Sequence, residues 1–91
     1  MRVRFYSDPD TELPHIYNHD VTEDEVIEVL NRSPLLLHGK RGAMIALGQT
    51  SGGRYLRVIY RESRRELLIV AAYTLSGKAL RAYRRRKRRR R

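Results

Sequence analysis

Apolar residues recur along the chain at two spacings, and each change of spacing predicts a change of element. Val3 and Phe5 alternate with Arg2, Arg4 and Tyr6, which predicts a short edge strand. Asp8-Pro9-Asp10 marks a turn, and a brief helical turn is expected over residues 13–18, after Pro14. Thr22-Glu23-Asp24-Glu25 forms a capping box: Thr22 accepts from the amide three residues on, and Glu25 reaches back. The three acids complement the positive end of a helix dipole. Val26, Val29 and Leu30 follow at i, i+3 and i+4, so a helix is predicted over 23–32, closed by Asn31, Ser33 and Pro34.

Beyond Pro34 the period falls to two. A short strand is expected over 35–38, then a turn from Gly39 to Gly42, then the strand AMIALGQ from Ala43. Thr50-Ser51-Gly52-Gly53 is a tight connection whose glycines can take positive φ. In RYLRVIYR, Leu56, Val58 and Tyr60 point one way, and Tyr55, Arg57, Ile59 and Arg61 the other. After a polar turn over 62–65, the run from Leu67 to Tyr73 is apolar on both faces, as in a central strand. Ser76 can cap a last helix carrying Ala79, Leu80 and Tyr83, which is expected to fade where like charges repel at i, i+4. The predicted class is α+β. It has a small antiparallel sheet of three to four strands, helices packed on one face, and a basic C-terminal helix.

With 91 residues the chain is one small domain, expected over 1–83 with a polybasic tail over 84–91. Apolar residues at 41% and charged residues at 33% are globular proportions. The absence of cysteine rules out disulfides and zinc thiolate sites. No run approaches the roughly 20 apolar residues of a membrane span. Asp8 and Pro9 interrupt any secretory h-region, so a cytoplasmic protein without membrane contact is expected. The net charge of +10 is unevenly placed. Residues 1–33 hold eight acids and three bases, net −5, and residues 34–91 hold seventeen bases and two acids, net +15. Such polarity points to an acidic polymer as partner for the second part.

The run RRRKRRRR closes the chain, and ten of the twenty cations lie from Lys78 onward. Arg84, Arg85, Arg86, Lys87 and Arg88 suit phosphate attraction, which supplies affinity and no base selection. A solvated tail or a nuclear localisation signal has the same composition. On the sheet, Arg54, Arg57 and Arg61 bracket Tyr55 and Tyr60. Arginine beside exposed rings suits RNA, since rings stack on unpaired bases and guanidinium holds phosphate. The plainer reading is that Arg57 and Arg61 are ordinary outward residues of a half-buried strand. His15 and His19 have the i, i+4 spacing of helical zinc ligands, but no third ligand is evident and no metal is expected. No Gly-rich loop leads to a lysine and no Ser or Cys sits with a base, so no cofactor is expected.

Two stretches resemble a known family. HDVTEDEVIEVL is similar to the HGVSFEEA-type segment of BrnT toxins. GQTSGGRYLRVIYRESRRELLIVAAYT resembles their Gly-x-Ser/Thr…Gly-Arg-x-Leu-x-Val core, and the resemblance as a whole covers about residues 15–84. The chain has Ala72-Tyr73 where those toxins usually have Ala-Arg, and the arginine tail lies outside the pattern. BrnT belongs to the RelE-like superfamily, so the resemblance implies a metal-independent endoribonuclease toxin acting on mRNA or the ribosome. Its partner would be a small ribbon-helix-helix antitoxin. For such a reaction the chain offers Arg54, Arg57, Tyr73, Lys78 and Arg81 as the expected catalytic set. Tyr55, Arg61, Tyr83 and the arginine run would hold nucleic acid. The chemistry needs a proton taken from the 2′-OH, charge stabilised on the phosphorane, and a proton given to the 5′-oxygen. A non-catalytic RNA- or ribosome-binding module, or a family member that has lost activity, uses the same surface without the cut.

Overall fold

The computed structural model describes residues 2–89. Strand β1 (Arg2–Phe5) leads through a short 3-10 helix (His15–His19) to helix α1 (Glu23–Asn31). Strands β2 (Leu35–His38), β3 (Met44–Gln49), β4 (Tyr55–Glu62) and β5 (Glu66–Thr74) follow, and helix α2 (Gly77–Arg89) ends the described chain. The capping box forms as expected: the Glu25 amide donates to Thr22 Oγ1 at 3.2 Å, and the Thr22 amide donates to the Glu25 carboxylate at 3.0 Å.

The α+β class holds, but the sheet is larger than expected and mixed. It has five strands in the order β1-β5-β4-β3-β2. β2 through β5 are antiparallel neighbours, whereas β1 lies parallel to β5. Alternation in Val3 and Phe5 marks a strand but carries no sign of its direction. That direction is set by where β5 leaves an open edge.

Helices cover both faces, not one. On the first face Val26 and Val29 of α1 and Ile16 of the 3-10 helix meet Ala46, Leu56, Val58, Tyr60, Ile69 and Ala72 in one buried cluster. On the second face Leu75, Leu80 and Tyr83 of the α2 region meet Leu35, Leu37, Ile45, Leu47 and Tyr55. The reason is compositional. β3 and β5 are apolar on both faces, so one layer of helix leaves half of that surface in water.

A bulge between Ile59 and Tyr60 shapes the second face. Ile59 pairs with Ala71 and Tyr60 with Ile69, so Val70 is the extra residue. On the first face α1 comes close to β3 at Gly48, where an added Cβ would lie 3.0 Å from Val29 Cγ1. Gly53, at φ 93°, closes the β3–β4 turn.

Helix α2 continues past Arg84 to Arg89, so the expected 83/84 boundary falls inside a helix. Like-charge i, i+4 pairs cost only about 0.2–0.5 kcal/mol each. Arginine is a good helix former, and buried Tyr83 and half-buried Leu80 anchor the first turns. Arg90 and Arg91 of the basic run lie outside the described residues.

Candidate nucleic-acid interface

Alternation along β4 places Tyr55, Arg57, Ile59 and Arg61 on the α2 side of the sheet. α2 covers only part of that side. The rest is an open hollow of about 690 Å3. Ala43, Ile45, Ile59 and Val70 supply its apolar lining. Its polar lining is His38, Lys40, Arg41, Arg57 and Arg61, with no carboxylate. The β2–β3 turn forms part of this rim. Arg41 sits there at φ 56°, and Arg61 donates to its carbonyl at 2.6 Å.

A narrower cleft of about 220 Å3 runs between α2 and the sheet, with Tyr83 and Arg86 on its helical side. Ile45 and Arg57 line both the cleft and the hollow, so exposed Arg57 stands where the two meet. At the far end of β4 the Tyr55 ring meets Tyr83 edge-on, centroids 5.9 Å apart, and the Arg84 guanidinium carbon lies 4.9 Å over the Tyr55 ring.

The five residues expected to act on a phosphodiester do not all converge. Arg57 and Tyr73 are direct cross-strand partners on the α2 side. Arg54 does not join them. It precedes β4 and turns to the α1 side, donating to both Glu25 carboxylate oxygens at 2.8 and 2.9 Å and to the Asp20 carbonyl at 2.9 Å. The same Glu25 completes the helix cap, so Arg54 ties the β3–β4 turn to α1. Its acceptors fix its geometry, and a substrate phosphate would have to displace them. Lys78 and Arg81 are exposed on α2 and line neither the hollow nor the cleft.

Among the residues expected to hold nucleic acid, Tyr55 and Arg61 share the Arg57 face. Tyr83 is 5% exposed and serves mainly as core. Arg84, Arg85, Arg86, Lys87 and Arg88 are exposed along α2. None of the ion pairs among the described residues involves α2.

His19 is the residue that sequence reasoning missed here. Its ring lies 4.3 Å from that of Tyr73, centroid to centroid. His15 follows at 5.6 Å from His19, with Tyr6 beyond it at 6.2 Å. Spacing within the 3-10 helix pairs His19 with His15 but gives no hint of Tyr73. That contact exists because the 3-10 helix packs against β5. His15 Nδ1 is 3.7 Å from the Asp8 carboxylate. The Asp10 amide, the Asn18 side chain and His15 hold that carboxyl below the ordinary aspartate value. Among the described residues no three His, Cys, Asp or Glu side chains gather as a metal site.

The arrangement is that of a small α+β domain with a cationic, aromatic-edged sheet face on one side and an acidic, tightly bonded face on the other. No protein-family model matches the chain, and no curated protein or solved structure gives a significant match to it. No helix among the described residues is long and apolar enough to cross a membrane.

Proposed function

We propose that the protein binds single-stranded RNA across the α2 side of its sheet and along α2. One observation carries this reading: the hollow at Arg57 has an apolar lining, cations around it and no carboxylate. Phosphates are attracted to the rim and to the helix, and unpaired bases find apolar and aromatic surface between them. Duplex RNA would present neither exposed bases nor the same spacing of phosphates. The basic helix supplies affinity, and the sheet supplies preference for unpaired strands.

Binding of a fluorescent single-stranded RNA, followed by anisotropy across a salt series, tests the reading. Affinity should fall with salt by roughly 0.7 in log–log slope for each phosphate contact. Removing residues 84–91 should abolish most of the affinity. Replacing Arg57 and Arg61 together with alanine should weaken single-stranded binding more than duplex binding. Absence of binding at low salt, or equal affinity for single-stranded and duplex RNA, would overturn it.

Metal-independent RNA cleavage is a second reading, favoured by Tyr73, which is the cross-strand partner of Arg57 and whose ring lies 4.3 Å from that of His19. Here the 2′-OH attacks the adjacent phosphorus and the P–O5′ bond breaks. Arg57 neutralises the extra phosphorane charge. His19 and Tyr73 handle the proton leaving the 2′-oxygen and the one arriving at the 5′-oxygen. The result is a 2′,3′-cyclic phosphate and a free 5′-hydroxyl. In this reading the resemblance to BrnT makes the enzyme a toxin, restrained by a ribbon-helix-helix antitoxin that covers the basic face. Incubation with mRNA and ribosomes in excess chelator should then give cuts that Arg57→Ala with Tyr73→Phe abolishes. Intact RNA after prolonged incubation leaves binding as the whole function.

A further inference from the structure

At the α2 end of the sheet, away from the Arg57 hollow, a separate recess of about 390 Å3 is lined by Tyr55, Tyr83, Arg84, Lys87 and Arg88. That volume lies within the range of small-ligand sites, about 300–1,000 Å3. The lining contains two rings and three cations and no acid. Its base is rigid. Tyr55 is the first residue of β4, pairs with Gln49 across the sheet, and its carbonyl accepts from the Leu75 amide at 2.8 Å. Tyr83, buried and edge-on to Tyr55, holds the ring from the side. Two helical ridges border the opening: Tyr83 with Lys87, and Arg84 with Arg88, each pair four residues apart.

From this geometry we infer that the recess is a one-nucleotide subsite, in which an unpaired base stacks on Tyr55 and its flanking phosphates are held by Arg84, Lys87 and Arg88. The inference rests on the RNA-binding reading above and locates within it the contact that tells a base from bare backbone. Arg84 now lies over the Tyr55 ring. An exposed cation–π contact is weaker than base–aromatic stacking, so a base displaces the guanidinium from the ring. The displaced Arg84 remains beside the strand, where its planar fork accepts a phosphate. Lys87 and Arg88 supply charge attraction one turn further along the helix. Every base has a π face, so the subsite is tolerant of sequence and selective for unpaired nucleotides.

The experiment compares three probes of equal length and charge on the full chain: single-stranded RNA, an abasic strand, and a hairpin duplex. Tyr55→Ala should weaken the single strand about tenfold and leave the abasic strand unchanged, with the same salt slope for both. Tyr55→Phe, which keeps the ring, should recover the affinity. Lys87→Ala should weaken base-bearing and abasic strands alike and make the salt slope shallower. Circular dichroism checks that each variant is folded. As a readout without mutation, a 5-bromouridine strand irradiated on the wild-type protein should crosslink to the peptide carrying Tyr55. The inference is overturned by equal losses of single-stranded and abasic binding in Tyr55→Ala, by no loss at all, or by crosslinks confined to other peptides. If the wild-type chain binds none of the probes, the broader RNA reading fails instead.

Discussion

On its α1 side, β4 contributes Leu56, Val58 and Tyr60 to a cluster from which water is excluded. The arginine just before it, Arg54, is bonded to a carboxylate and a carbonyl. On its α2 side the same strand presents Arg57 and Arg61 around a hollow lined by no carboxylate. The acids of the chain's first third serve α1 and its turns, where Glu25 binds Arg54 and Glu28 accepts from the Ser51 amide at 2.8 Å. Positive charge on the α2 side lines the hollow with no carboxylate beside it. Residue type alone therefore says little about role: two arginines three positions apart are, respectively, a brace and an open contact.

That contrast can be broken most directly in the core. Leu56 is fully buried, and Leu56→Ala should cost about 3 kcal/mol, a fall of order 10–20 °C in Tm for a domain of this size. Ile59→Ala, on the hollow side of the same strand, should cost about 1 kcal/mol or less, because half-exposed Ile59 is already in contact with water. Equal losses in thermal melts would show that the two faces are equally dry. Gly48→Ala probes the closest approach of α1 to β3. The new methyl would press on Val29, and a cost of about 1–2 kcal/mol is expected from denaturant unfolding.

The paired arginines sharpen the comparison. Arg54→Ala should lower stability by about 1 kcal/mol, since its ion pair is only partly shielded, and should leave RNA affinity within about twofold. Arg57→Ala should leave stability within about 0.5 kcal/mol and weaken RNA binding several-fold. The reverse pattern would exchange their roles.

The smallest effect is a pH dependence confined to the α1 side. The Ser51 hydroxyl, the Ser51 amide and then Arg32 hold the Glu28 carboxyl below its ordinary value. A lowered folded-state value means that Glu28 stabilises the fold above the ordinary glutamate range, near pH 4. That contribution disappears as pH falls through the lower folded value. Glu28→Gln should therefore be less stable than wild type at pH 7 and indistinguishable from it at strongly acid pH, in paired denaturant titrations. A difference that persists in acid would assign the effect to shape and not to charge.

The local elements were readable because their causes are local. The capping box, the Val26–Val29–Leu30 stripe and the alternation in RYLRVIYR act over a few residues, and α1 and β4 lie within a residue or so of expectation. The two faces of β4 also divide as alternation predicts. What failed needed information from distant parts of the chain. β1 finds its parallel partner more than sixty residues away. α2 takes the face opposite α1 because both sheet surfaces are apolar; the two-faced run over 67–73 was legible, but which helix covers which face depends on how the strands assemble. Within the candidate site Arg57 and Tyr73 face each other across β4 and β5, Arg54 turns away to Glu25, and the spacing of His19 to His15 gave no sign of its contact with Tyr73.

Sequence by itself determined the α+β class, the position of the helix cap, the alternating faces of β4 and the concentration of positive charge toward the C-terminal end. Each follows from spacing or composition within a short window. Tertiary structure decided which arginines are neutralised and which stay open, because an ion pair such as Arg54–Glu25 joins residues 29 apart and depends on where α1 docks. It also decided that the basic helix and Tyr55 share one recess. Proximity of that kind is a product of packing, and no pattern within either segment encodes it.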